Sequence, residues 1–384
     1  MTLEALVASA RQRSASDLHI EPNLAPVIRT EGRLEAVGPV ITPTTSVEMA
    51  RRLLDDLEWS QFLHRRSFDL SRTICGVRCR LNILHSIRGV GLAVRLLASV
   101  QPTLEALNVH PDLRLFVENL HGLMLVSGAT GSGKSSTLAA LIHEINLHRA
   151  CHIVTIEEPV EYVFAPRVAF VRQRQVGHDT PSFEQGLLDV LREDPDVIMV
   201  GEMRQPEVMR LTLNAAETGH LTFATVHSSN SAEALQRIVS SFPAEIQSSV
   251  SAQLADCLLG VVCQRLVYHP EVGLRVPELE VLVATAAVRN LIRQGHFFKL
   301  ASTIETGAKD GMWSFERYRQ WMDAKPSWHD FENAASEPAA RGTEPVAERP
   351  SSTSAAPMRP DGAFAIEPPG EDFSKLLSEL RPRP

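Results

Sequence analysis

A chain of 384 residues with 44% hydrophobic and 22% charged residues is globular and long enough for about two domains, each with its own core. A formal net charge of −8 and only 5% aromatic residues argue against a broad, sequence-independent grip on nucleic acid, which depends on clustered Lys and Arg. No apolar run approaches the roughly 18 residues of a membrane-spanning helix, and residues 1–10 lack the basic start and long apolar core of a secretory signal, so a cytosolic protein is expected.

Residues 1–105 read as a mixed α/β domain. Asp17-Leu18-His19-Ile20 and Val27-Ile28-Arg29 are strand-like, and a helix is expected from about Ser46 to Leu63. Val77 to Leu84 and Gly91 to Leu97 form a strand pair joined by a turn at Arg88-Gly89. Arg78, Arg80 and Arg95 alternate there with apolar neighbours. Such arginines belong either to a solvated strand face or to an arginine finger that stabilises charge on a γ-phosphate. A Pro-bearing connector follows, with the linker placed at 106–115. The five cysteines contain no C-x-x-C pair and read as buried small hydrophobes in a reducing compartment.

The core domain, 116–325, opens with its most specific signal. Gly128-Ala129-Thr130-Gly131-Ser132-Gly133-Lys134-Ser135 satisfies G-x-x-x-x-G-K-[ST]. The apolar run Leu123 to Val126 precedes it, and Leu138, Leu141, Ile142 and Ile145 follow at helical spacing. A strand thus ends in a glycine-rich loop that opens a helix, and backbone N–H groups converge on a concavity that fits a triphosphate. Residues from Gly128 through Ser136 would cradle that triphosphate. Lys134 would reach its phosphates, and the Ser135 hydroxyl would ligate the accompanying Mg²⁺.

Further segments are placed to meet that triphosphate. Cys151 to Pro159 is an apolar strand ending in Glu157 and Glu158, at the strand end where α/β sheets bind ligands. Val197-Ile198-Met199-Val200-Gly201-Glu202 has the form of a Walker B strand, with Gly where Asp is commoner. Glu202 would hold Mg²⁺ or position the attacking water. The strand 221–226 carries His220 and His227 at its two ends, and His227 would sense the γ-phosphate or bond a catalytic carboxylate. Arg192-Glu193-Asp194-Pro195-Asp196 reads equally as a solvated turn or as part of the site. From Pro326 to Pro384, ten of the 24 prolines accompany Ala, Ser, Glu and Arg, and this segment is expected to be disordered. Within it Phe373, Leu376, Leu377 and Leu380 fall at the spacing of a short amphipathic helix.

These motifs, in this order, resemble the type II/IV secretion and type IV pilus ATPases, and among them the PilT group of retraction motors. The likeness runs from about Ser16 to Trp321. It includes Ser16-Asp17-Leu18-His19, the aspartate box from Thr155 to Glu161, Val200 to Arg204, the histidine box with His220 and His227, and Ala287-Val288-Arg289-Asn290-Leu291-Ile292-Arg293. The resemblance implies a PAS-like N-terminal domain, a RecA-like P-loop core and a homo-hexameric ATPase. It would lie peripherally on the cytoplasmic face of the inner membrane, with a pilus platform protein and a paralogous ATPase as partners. It also implies roles: Glu157 as general base, Glu202 as Walker B acid, His220 and His227 as histidine-box residues, and Arg80 and Arg95 acting across a subunit contact. Glu158 departs from the usual aspartate of its box, and Gln175 stands where an acid is expected. The expected function is ATP-driven pilus retraction, since the paired C-x-x-C and extra N-terminal domain of assembly ATPases are absent. Alternatives are an accessory retraction or type IVB secretion ATPase, a nucleic-acid translocase and a non-hydrolysing ATP-binding regulator.

Overall fold

The computed structural model describes residues 1–30, 32–97 and 101–331. The first part of the chain is α1 (Leu3–Gln12), β1 (Asp17–Ile20), β2 (Val27–Thr30), β3 (Arg33–Ala36), α2 (Pro43–Leu53), α3 (Asp56–Arg65), β4 (Ser67–Ile74), β5 (Val77–Ser86) and β6 (Gly89–Leu96). Its strands form a six-stranded antiparallel sheet in the order β3-β2-β1-β6-β5-β4. The alternation along β5 decides its faces. Cys79, Leu81 and Ile83 are fully buried with Leu6, Leu18 and Phe62, whereas Arg80 between them is exposed. This is the PAS-like arrangement, helices on one face of an antiparallel sheet.

The expected helix from Ser46 to Leu63 is two helices. Leu54 turns extended, and Asp55 caps α3: its carboxylate accepts from Glu58 N at 2.8 Å while Glu58 accepts from Asp55 N at 2.9 Å. This reciprocal capping restarts the helix in a new direction. The cysteine expectation also needs one correction. Cys79, Cys257 and Cys263 are buried and Cys151 is partly so, but Cys75 is exposed in a left-handed turn conformation between β4 and β5.

The second part comprises β7 (Gly122–Ser127), α4 (Lys134–His148), β8 (His152–Glu157), β9 (Phe170–Gln175), α5 (Phe183–Val190), β10 (Val197–Val200), α6 (Pro206–Glu217), β11 (Leu221–Val226), α7 (Ser231–Ser240), α8 (Gln247–Cys257), β12 (Leu258–His269), β13 (Leu274–Val283), α9 (Ala286–Arg293), α10 (Leu300–Thr306) and α11 (Phe315–Asp323). The seven-stranded sheet runs β13-β12-β7-β11-β10-β8-β9, parallel except for the antiparallel β12–β13 pair. Helices cover both faces, so its central strands are apolar throughout rather than alternating. Along β7, Leu123 and Leu125 enter the core under α5 to α9, whereas Met124 and Val126 enter the core shared with α4 and α11. This is the RecA-like α/β layout.

The connector is not a free tether. Leu104, Leu107, Val109, Leu113 and Phe116 are buried in the second core, and His110 N donates to the Tyr318 hydroxyl of α11 at 2.9 Å. The Ala287 to Arg293 motif lies in α9, whose Arg289 donates to Ala255 O and Asp256 O at the end of α8, each at 2.6 Å. That places a cation on the last carbonyls of a helix. Disorder from Pro326 onward is contradicted over 326–331. Trp328 and Phe331 pack on the second core, and the Asn108 side chain bonds His329 N at 2.9 Å and His329 O at 2.7 Å. Two aromatics so soon after α11 supply the apolar area that the proline-rich composition hides. The stretch from Phe373 to Leu380 lies outside the described residues.

Candidate active site

β7 ends at Ser127 and α4 begins at Lys134, so residues 128–133 form the loop between a buried strand and a helix N-terminus. Gly131 and Gly133 hold φ of +78° and +85°. Gly128 admits no side chain, since a Cβ there would lie 2.3 Å from the Gln264 carbonyl oxygen and 2.5 Å from Ser132 Oγ. Lys134 Nζ donates to Gly128 O and Ala129 O, both at 2.9 Å. Burial pulls its pKa below the usual lysine value, against Glu202 and Glu161, which favour the cation. Ala129, Thr130, Gly131 and Ser135 are exposed around the concavity. Among the described residues Ser132 Oγ is buried with no hydrogen-bond partner, a donor that a phosphate oxygen would satisfy. Ser136, expected to bind nucleotide, instead has its hydroxyl against Tyr162 Oη at 2.8 Å.

Two carboxylates stand at neighbouring strand ends. Glu157, the last residue of β8, is buried; burial pushes its pKa up to about 7 against hydrogen bonds from Thr155 and Gln173. Those bonds, 2.6 Å from Thr155 Oγ1 and 3.1 Å from Gln173 Nε2, both fall on Oε1. Among the described residues no side chain bonds Oε2. Glu202 follows β10 and is the opposite case. Partial burial raises its pKa, but Arg204, His227 and Lys134 outweigh that and hold it below the usual carboxylate range. His227 Nε2 lies 2.8 Å from Oε1 and Arg204 2.7 Å from Oε2. The glycine in the Walker B position has a steric cause. A Cβ on Gly201 would lie 3.2 Å from Ile156 O and 3.3 Å from Glu157 Cα, tighter than ordinary van der Waals contact, so a side chain there would require the two strand ends to give by a few tenths of an ångström.

The remaining expected residues divide. Arg80 lines a cleft between the two sheets of its own chain, together with Arg72, Glu158, Gln175 and Arg204. Arg95, opposite Arg80 across the β5–β6 pair, is engaged by Asp17 at 3.1 Å and is mostly exposed. It does not line that cleft within one chain. Arg78, the third arginine of this face, is half-buried against the core domain and donates to Val160 O at 3.1 Å and Gln175 Oε1 at 3.2 Å. Gln175 is therefore a neutral partner of Arg78. The structure does not bring His220 to the carboxylates. It precedes β11 and so sits at the opposite edge of a parallel sheet, with Nδ1 bonded to Ala215 O at 2.9 Å. The charged segment before β10 is structural: Arg172 and Arg174 hold Glu193 at 2.5 and 2.9 Å, and the Asp196 carboxylate accepts from His152 N at 2.8 Å.

Residues that orient the site but escape a reading of the sequence are Thr155, Gln173 and Arg204. Thr155 alone had a signal, two positions before Glu157 on the same strand face. The donor set fits a magnesium nucleotide. A helix N-terminus, a buried lysine and an unpartnered serine hydroxyl suit phosphate, and the exposed Ser135 hydroxyl with the anionic Glu202 are oxygen ligands of the kind Mg²⁺ takes.

Comparison with known proteins agrees with this geometry. A family model described as type II/IV secretion system protein matches residues 1–294. An uncharacterized Escherichia coli protein, YggR, is 41% identical over 83% of this chain and 98% of its own length. The type IV pilus retraction ATPase PilT of Pseudomonas aeruginosa is 37% identical over 85% of this chain and 95% of its own. The crystal structure of a pilus retraction motor PilT with bound ADP superposes with a TM-score of 0.75 at 34% identity, covering 85% of this chain and 98% of that one. The chain belongs to the type II/IV secretion system protein family, as a nucleotide-binding, ATP-hydrolysing member of it.

Proposed function

We propose that this protein is a pilus retraction motor that hydrolyses ATP to withdraw a type IV pilus and so drive twitching motility. One observation supports this reading most: the P-loop lysine, the buried Glu157 and the Glu202–His227 pair converge at one edge of the parallel sheet, in a chain that matches a retraction ATPase along nearly its whole length. In the reaction, water attacks the γ-phosphorus in line and ADP leaves. Glu157 Oε2 takes the proton of that water, with Thr155 and Gln173 fixing the carboxylate's orientation. Lys134 and the loop N–H groups bear charge on the β and γ oxygens. Ser135 and Glu202 would hold Mg²⁺, which would supply charge neutralisation there. His227 bonds Glu202 through Oε1 and would register loss of the γ-phosphate. Arg80 and Arg95, on the outer face of the N-terminal sheet, act on the nucleotide across a subunit contact.

The working form is a homo-hexamer of subunits divided as 1–105, a linker at 106–115, and a core from 116 that takes in the packed residues 326–331. It lies peripherally against the inner membrane, engages a platform protein there and works beside a paralogous ATPase. The test is genetic. Cells lacking the protein, and cells carrying only the Glu202→Ala form, are expected to be hyperpiliated and unable to twitch. Bald cells would make it an assembly ATPase, and normal pili in both strains would move it to a secretion system.

A further inference from the structure

The P-loop rests on a residue of β12 that the account above leaves without a role. Gln264 is 3% exposed, and its amide is bonded at both ends. Nε2 donates to Ser132 O at 2.6 Å, and Oε1 accepts from Thr137 Oγ1, on the first turn of α4, also at 2.6 Å. A carbonyl can only accept, so the NH₂ end must face Ser132 and the amide orientation is fixed by its partners. The glycines make room for this: a Cβ on Gly133 would lie 2.8 Å from Gln264 Nε2, and one on Gly128 would meet the Gln264 carbonyl.

The consequence follows from peptide planarity. Within the Ser132–Gly133 peptide the C=O and the N–H point in opposite directions. Holding the carbonyl against Gln264 turns the Gly133 N–H away from β12, toward the concave side of the loop where phosphate is received. In this buried setting neither bond competes with water, so both are strong and costly to break.

We propose that Gln264 is a positioning residue for ATP, which aims the donors of the P-loop by clamping the Ser132 carbonyl and the first turn of α4 together. The inference rests on the reading of this loop as the ATP site. It differs from a packing role because it requires a hydrogen-bond donor at the Nε2 position.

The experiment compares the full-length parent with Gln264→Met, Gln264→Glu and Thr137→Val, using a fluorescent ADP analogue for affinity, steady-state ATPase kinetics, and thermal unfolding. Gln264→Met keeps the volume and removes both bonds; it is expected to melt within a few degrees of the parent while Kd for the analogue and KM for ATP rise about tenfold or more. Gln264→Glu keeps the acceptor and loses the donor. Its affinity deficit relative to the parent at the same pH is expected to shrink from pH 8 to pH 5.5, because protonation of the introduced carboxyl restores a donor to Ser132 O. Thr137→Val, nearly isosteric, should show a smaller loss in the same direction, and it decides the matter if both Gln264 variants fail to fold. Parent-like affinity in the folded variants, or a deficit in Gln264→Glu that does not change with pH, would overturn the proposal. A parent that neither binds the analogue nor hydrolyses ATP would instead overturn the nucleotide reading on which it rests.

Discussion

Glu157 and Glu202 are carboxylates at adjacent strand ends whose proton affinities are driven apart. Burial lifts Glu157 to about 7, while Arg204 and His227 keep Glu202 ionised. Such divergence separates a proton acceptor from a permanent anion. A base must be ionised to act, so kcat should climb about tenfold between pH 6 and a plateau above pH 8, and Glu157→Gln should lose both this limb and turnover by about 10³-fold or more. A pH–rate profile of the two proteins checks this. Stability runs the other way. The folded protein holds the Glu157 proton more tightly than the unfolded chain does, so this group's favourable contribution is present below the unfolded pKa near 4.5 and is lost as pH rises toward 7. Glu157→Gln should therefore melt several degrees above the parent at pH 8, with the gap closing at pH 5 by calorimetry. Lys134→Ala should lower kcat/KM by about 10³-fold or more in a coupled ATPase assay, because it removes charge where the transition state gathers it.

At the scale of elements, the site is set by how closely β8 and β10 approach. Restoring the commoner aspartate at Gly201 would press a side chain into Ile156 O and Glu157 Cα, backbone atoms that the sheet holds in place. Gly201→Asp is expected to cost about 1–3 kcal/mol in chemical denaturation and to lower kcat more than it raises KM, because it displaces the base rather than the nucleotide. The same elements show what a sequence can disclose. Lys134, Glu157 and Glu202 were legible because a strand end is a local pattern and a parallel sheet lines up its strand ends. His220 entered only through the resemblance: it stands at the start of its strand, and chain direction puts the two strand ends at opposite edges. The partition of Ser46 to Leu63 into two helices was written in Asp55-Asp56-Leu57-Glu58, a capping signal outweighed by helical periodicity on both sides. Gln173 and Gln264 could not be found so: their partners lie in other strands and loops, and an isolated glutamine has no motif around it.

For the whole molecule, the contribution of the described residues after α11 has a direct test. A chain ending after Phe331 should keep ATPase activity within about twofold. One ending at Lys325 loses the packing of Trp328 and Phe331 and the bonds from His329 to Asn108, and should melt several degrees lower by scanning calorimetry. Loss of activity in the longer chain would show that 332–384 belong to the catalytic unit.

The strand behind the P-loop has a second attachment. Next to Gln264 on β12, Arg265 bonds the buried Glu278 of β13 at 2.7 Å, and Glu278 also holds Arg319 of α11 at 3.0 Å. One residue earlier on α11, Tyr318 holds the connector through His110 N. The floor of the phosphate loop and the root of the joint between the two sheets are thus one piece of hardware. A nucleotide that shifts the floor must strain the joint, and reciprocity requires that pulling on the joint shift nucleotide affinity by the same free energy, about 1.4 kcal/mol for each tenfold change. Such a machine would feel the tension on its filament as a change in its grip on the nucleotide.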